Sequence, residues 1–214
     1  TPTPSGNMHV TTVYVDAGHG FTNSWGDFDR GAGEDSEYYR ISLEETGIGL
    51  YEADMNLKIA LRVKELLLEK GYRVIMSRED YVNRHLPINN RAAMAADSGA
   101  DLLVSVHGNT ASKASAFGAR VYYSDRRGDS RSYANAVAAA IDQNGASRKI
   151  TTVHLDNGLA MVNSVGMPSV LVETCFLTNT EDAEQALTEE WINSMAKSIV
   201  DGICKEFPCE TTFQ

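Results

Sequence analysis

Asp101-Leu102-Leu103-Val104-Ser105-Val106-His107-Gly108-Asn109 is the stretch that decides the fold. Its apolar run shows almost no polar alternation, the pattern of a strand covered on both faces within a parallel sheet. A strand of that kind needs neighbours, and Thr11 to Val15, Arg73 to Met76, Gly118 to Tyr123, Leu159 to Val162 and Ser169 to Val172 read as such. Between them lie helices. Ala53 to Lys70 repeats apolar residues at Leu57, Ala60, Leu61, Val63, Leu67 and Leu68, and Gly71 follows as a stop. Pro87 to Ala96 reads as a helix opened by proline, and Asp129 to Asp142 as another. Trp191 to Phe207 closes the chain as a helix with Ile192, Met195, Ile199 and Ile203 on one stripe. This alternation predicts an α/β fold, a single domain with a twisted, mostly parallel central sheet and helices on both faces.

Residues 20 to 51 break the rhythm. They are rich in Gly, Asp, Ser and Tyr with little periodicity and read as a long loop, and loops of that length in a compact domain usually carry function. Residues 1 to 10 have the small, proline-spaced composition of a linker, so the expected domain runs over 11 to 214.

The 214 residues suit one domain with a sizeable core, and 43% apolar with 22% charged residues is ordinary for a globular chain. A net charge of −10 argues against nucleic acid and against attraction to an anionic surface, so an anionic target must be gripped locally. No apolar run approaches a spanning helix, and the first residues lack a basic-then-apolar leader. The three cysteines, Cys175, Cys204 and Cys209, include no Cys-x-x-Cys pair, so neither a thiolate zinc site nor a disulfide framework is indicated, although a Cys204 to Cys209 bridge stays open.

Reactive groups sit where strands end. His19 follows Val15-Asp16-Ala17-Gly18, His107 follows the central run, and Glu173 follows Val170-Leu171-Val172. In open α/β sheets such ends converge on one crevice where ligands bind. Glu52 opens the long helix. Without thiolates, zinc would be held by His19, Glu52 and His107, leaving a fourth position for water or substrate. Glu173 would then stand unliganded as the general base and later the acid. Each residue alone has a plainer account: a histidine satisfied in a loop, or a glutamate complementing a helix dipole. The glycines flanking both histidines suggest backbone kept clear for a close approach, and a carboxylate at the edge of a buried strand is costly unless it is paired or functional. His9 falls in the tail, and His85 and His154 fall in polar loops with rim or solvent roles. Arg91 is expected to make a structural ion pair from its helix. Asn109 is open between orienting His107, touching substrate and forming a turn.

At these residues the chain resembles the zinc-dependent N-acetylmuramoyl-L-alanine amidases, bacterial peptidoglycan hydrolases with an amidase type-three catalytic domain. The resemblance rests on five ordered motifs: Val15-Asp16-Ala17-Gly18-His19-Gly20; Glu52-Ala53-Asp54-Met55-Asn56-Leu57; Ser77-Arg78 with Arg91-Ala92-Ala93; Ser105-Val106-His107-Gly108-Asn109; and Val170 through Asn179. It implies zinc on His19, Glu52 and His107, catalysis by Glu173, and cleavage of the amide joining N-acetylmuramic acid to L-alanine of the stem peptide. It further implies peptidoglycan as the partner and an extracellular or cell-wall setting; a monomer is expected. Asn109 and Asn163 are the expected substrate contacts, although Asn163 stands where members often carry Arg. Cys175 replaces the usual Gly after Glu-Thr, and Gly108 the frequent Ala of His-Ala-Asn. Residues 21 to 51 exceed the family's short link and read as an insertion beside the groove. Residues 109 to 117 are too short for the autoinhibitory helix of division-linked members, so the zinc site is expected to stand open. Readings kept beside this one are a phage endolysin with the same chemistry, a zinc peptidase or aminoacylase, and a non-catalytic peptidoglycan-binding domain.

Overall fold

The computed structural model describes residues 9–209, so most of the expected linker lies outside the described residues. Its centre is a six-stranded sheet built from β1 (Thr12–Ala17), β3 (Arg73–Met76), β5 (Leu102–Asn109), β6 (Arg120–Tyr123), β7 (Thr152–Leu155) and β8 (Ser169–Phe176), in the order β3-β1-β5-β8-β6-β7. β3, β1, β5 and β8 run parallel; β6 pairs antiparallel with β8 and carries β7 parallel to itself. The mostly parallel sheet expected from the sequence is therefore present.

Alternation along the strands sorts residues onto two covered faces. Val13, Val15, Val104, Val106, Val170 and Val172 pack on the side of α2 (Glu52–Glu69), α4 (Asp129–Gln143) and α7 (Glu189–Glu206). Tyr14 and Leu103 face the other side, where Ala92 and Ala95 of α3 (Ile88–Ala96) and Met161 of α5 (Ala160–Asn163) cover them. On that second face Asp16 and Arg91 form the ion pair expected of Arg91, fully inside the protein. Arg91 Nη2 donates to both Asp16 oxygens at 2.8 and 2.9 Å, and Ser105 Oγ donates to Oδ2 at 2.6 Å. Burial would raise the Asp16 carboxyl, but Arg91, His107 and Ser105 outweigh it and hold it down at about 2.

Several local expectations are corrected. Residues 20 to 51 are not continuous loop: they hold β2 (Phe21–Thr22), which pairs with β4 (Val82–His85), and α1 (Glu37–Thr46). α1 buries only Tyr38 and Ser42 among its residues, so its apolar periodicity is faint. Its ends are nonetheless well marked, because Ser36 Oγ accepts from the Tyr39 N–H and Gly47 closes it in the left-handed conformation. Leu159 to Val162 was expected as a strand and instead turns into the single-turn α5, with Asn163 N bonded to Leu159 O. A short apolar run does not separate strand from helix by itself. β7 falls within a stretch read as polar loop, so His154 is strand-borne, as is His85 on β4, and α6 (Thr180–Ala186) has no counterpart among the expected elements. The three cysteines are free, and the open Cys204 to Cys209 bridge is not formed. No helix among the described residues is long and apolar enough to cross a membrane.

Candidate metal centre

The C-terminal edge of the parallel strands brings His19, Glu52 and His107 together. β5 and β8 each run further than the sequence suggested, and in their register His107 is the direct partner of Glu173. Two reactive groups far apart in sequence thus become neighbours through strand pairing alone. His19 follows β1 and takes φ 61°, the one left-handed non-glycine backbone among the described residues. Such a conformation costs on the order of 1–3 kcal/mol and persists where surrounding structure imposes it. Here Gly18 N–H donates to Val106 O at 3.0 Å and Gly20 N–H to Asp29 O at 2.6 Å.

Glu52 is the hub. It is 4% exposed, and its Oε1 lies 3.2 Å from His19 Nε2 and 3.1 Å from His107 Nδ1. Oε1 also accepts from Gly108 N–H at 3.1 Å and from Asn56 Nδ2 at 3.3 Å, while Oε2 accepts from Ala32 N–H at 2.9 Å. Burial alone would raise this carboxyl, but the two histidines hold it far below the usual carboxylate range. Burial likewise works against charge on His19, yet Asp29 and Glu52 lift its imidazole to about 10. Metal binding would therefore displace a proton from His19.

These donors fit a zinc ion. The three ligand atoms lie within 4.8 Å of one another. Tetrahedral zinc with bonds of about 2.0–2.1 Å puts its ligands roughly 3.3 Å apart, close to the two separations from Glu52. Glu173 supplies the second observation. Its Oε2 is buried without a hydrogen-bond partner, and burial, reinforced by the charge of Glu52, raises its carboxyl although His107 pulls the other way. A buried orphan carboxylate oxygen beside a cluster of donors is an anomaly that a reaction partner would resolve.

Residues outside the expected set hold this arrangement. Arg78, 3% exposed, donates to Ala17 O, Gly18 O and Ala53 O and so ties the end of β1 to the start of α2. Ser77 Oγ accepts from Ala17 N–H. Asn56 bridges Gly18 O and Glu52. Asp29, inside the stretch read as loop, reaches His19 Nδ1 at 2.8 Å. Ser77, Arg78 and Asn56 fell within quoted motifs, but nothing in their spacing revealed these contacts.

Two recesses flank the donors. One, of about 730 Å³, is lined by His19, His107, Phe21, Phe28, His85 and Ile88 among others; the second, of about 570 Å³, runs past Glu52, Ser36, Thr110 and Thr178. His85 lies on the rim of the first, as its rim role anticipated. His154 instead stacks on Tyr122 at the far edge of the sheet. Neither Asn109 nor Asn163 lines these recesses, and Asn163 Oδ1 accepts from Ser124 Oγ at 3.2 Å. The family model described as N-acetylmuramoyl-L-alanine amidase matches residues 13–205. The chain belongs to that family. Uncharacterized protein YqiI of Bacillus subtilis is 35% identical over 194 residues, covering 90% of this chain and 82% of that protein. The N-acetylmuramoyl-L-alanine amidase LytC of the same organism is 30% identical over 198 residues, covering 89% of this chain but 34% of LytC. Among solved structures, an N-acetylmuramoyl-L-alanine amidase from Clostridium difficile 630 aligns with a TM-score of 0.75 at 28% identity, covering 92% of this chain and 96% of that one.

Gly108 and Cys175 both pack against Met55. A Cβ on Gly108 would stand 2.8 Å from both Met55 Cε and Leu177 Cδ1, and Cys175 Sγ lies 3.9 Å from Met55 Sδ. The Met55 side chain occupies the room that an alanine at 108 would need.

Proposed function

We propose that this amidase domain hydrolyses the amide between the lactyl group of N-acetylmuramic acid and L-alanine of the peptidoglycan stem peptide, with zinc held by His19, Glu52 and His107. A bound zinc supplies a Lewis acid that polarises the amide carbonyl and makes water acidic enough to react near neutral pH. Glu173 carries the proton. As a carboxylate it takes a proton from the attacking water, and as a carboxylic acid it delivers that proton to the alanine nitrogen as the C–N bond breaks. Burial raises its affinity for protons, which suits a group that must both accept and donate one. Arg78 and Asn56 keep β1 and α2 in place so that His19 and Glu52 meet without rearrangement.

The observation that carries this reading is the pairing of His107 with Glu173 across β5 and β8, which places an orphaned carboxylate beside the three donors. The recesses on either side give an extended polymer room on both flanks of the scissile bond. The setting that follows is the cell wall or the extracellular space.

Digestion of purified peptidoglycan, with mass spectrometry of the soluble products and assay of new alanine amines, tests the proposal. Release of intact stem peptides, abolished by a chelator and restored by zinc, is the expected result. Cleavage inside the stem peptide would indicate a zinc peptidase instead. Zinc binding with no cleavage of several peptidoglycan types would indicate a wall-binding domain.

A further inference from the structure

His19 and His107 are both aimed at Glu52, but different forces aim them. The His107 ring lies flat against the backbone of its neighbour, since a Cβ on Gly18 would come within 2.4 to 2.6 Å of three of its ring atoms. It also sits on a paired strand. His19 has neither support: it lies beyond the end of β1 in a left-handed conformation that its own side chain disfavours. We propose that Asp29 is the positioning residue for this half of the centre, holding His19 in the tautomer and ring orientation that present Nε2 to the metal. The inference rests on the zinc reading above.

Asp29 grips His19 from two directions. Its Oδ1 lies 2.8 Å from His19 Nδ1, and its backbone carbonyl accepts from the N–H of Gly20, the next residue along, at 2.6 Å. The carboxylate is itself oriented, because Oδ1 also accepts from Gly31 N–H at 3.2 Å. An ionised carboxylate only accepts hydrogen bonds, so Asp29 keeps a proton on Nδ1, and a metal bound between Nε2 and Glu52 Oε1, now 3.2 Å apart, would displace the Nε2 proton and take that lone pair. The same short segment serves the second ligand, since Ala32 N–H binds Glu52 Oε2. Residues 29 to 32 thus act as a bracket across His19 and Glu52, and a carboxylate behind a metal-binding histidine both fixes the ring and strengthens it as a donor. A side chain about half exposed, at 48%, is poorly placed to earn its position by packing.

The test uses the whole domain and two variants, Asp29→Ala and Asp29→Asn. Zinc affinity is measured by competition with a chelating dye, and the His19 tautomer of the zinc-loaded wild type by nitrogen-15 correlation spectra. Expected are an Nδ1–H tautomer at His19, a roughly 10–100-fold loss of zinc affinity in Asp29→Ala, and recovery of most of it in Asp29→Asn, whose amide oxygen still accepts from Nδ1–H. Zinc affinity within twofold of wild type in a folded Asp29→Ala would overturn the proposal. So would a His19 bound through Nδ1, a result that needs no variant to fold. A wild type that binds no zinc would defeat the metal reading and this inference together, whereas zinc binding with no effect of Asp29→Ala would defeat this inference alone.

Discussion

The candidate centre has a strand-borne half and a loop-borne half, and they are held by different physics. His107 and Glu173 lie on β5 and β8, where backbone hydrogen bonds on both sides of each strand fix which residues face each other. His19 and Glu52 lie at a strand exit and a helix start, and their positions depend on side-chain and loop contacts from Arg78, Asn56, Asp29 and Ala32. The contrast teaches that register alone aligns Glu173 with His107, while His19 and Glu52 need a built enclosure. Substitution of Glu173 should therefore affect catalysis alone, whereas substitution of His19, Glu52 or His107 should affect metal retention.

Glu52 joins both halves, so its loss should have the largest effect. Glu52→Gln should reduce zinc affinity by more than the roughly 10–100-fold that loss of an outer partner costs, and turnover should become undetectable. Dye competition and product assay read these two quantities, and near-normal affinity would remove Glu52 from the ligand set. Glu173→Gln should leave zinc affinity unchanged and lower kcat by about 10²–10⁴-fold, since the amide keeps the shape but cannot carry the proton. Preserved turnover in that variant would break the assignment of the base.

Beneath the centre, Asp16→Asn strips the charge partner from buried Arg91 and should cost about 3–5 kcal/mol in denaturant unfolding. The wild-type pH dependence follows with a definite sign. Because the folded carboxyl titrates at about 2, below its ordinary 3.8, its contribution is in place above that ordinary value and is lost as pH falls through about 2. The Asn variant should lack this part of the acid transition. A smaller effect is expected from Gly18→Ala, which crowds the His107 ring and should cost about 1–3 kcal/mol of stability or shift the ring. In the second case zinc affinity falls while the unfolding midpoint holds; if both quantities stay at wild-type values, the ring has room that the geometry denies.

Much of this architecture was legible in the sequence because burial leaves a pattern. The unbroken run of β5 marked a strand covered on both faces, and the periodic stripe of α7 marked a packed helix. His19, Glu52, His107 and Glu173 could be singled out because each stands at the end or the start of such an element. α1 escaped notice because it buries too little to show a stripe; the spacing of Ser36 and Gly47 was the available signal. Asp29 and Ala32 were hidden for a different reason: a loop that works through backbone N–H groups and one carboxylate leaves almost no trace in residue type.

By itself the sequence determined the class of fold, the strands and helices with strong periodicity, and the four candidates for metal binding and proton transfer. Those follow from local chemistry, since apolar patterning reports burial and residue type limits ligation. The tertiary structure alone decided that His107 faces Glu173, that Asp16 pairs with Arg91 beneath them, and that Asp29 stands behind His19. Each joins segments whose meeting depends on strand order and on the path of the chain between them, and no single segment carries that information.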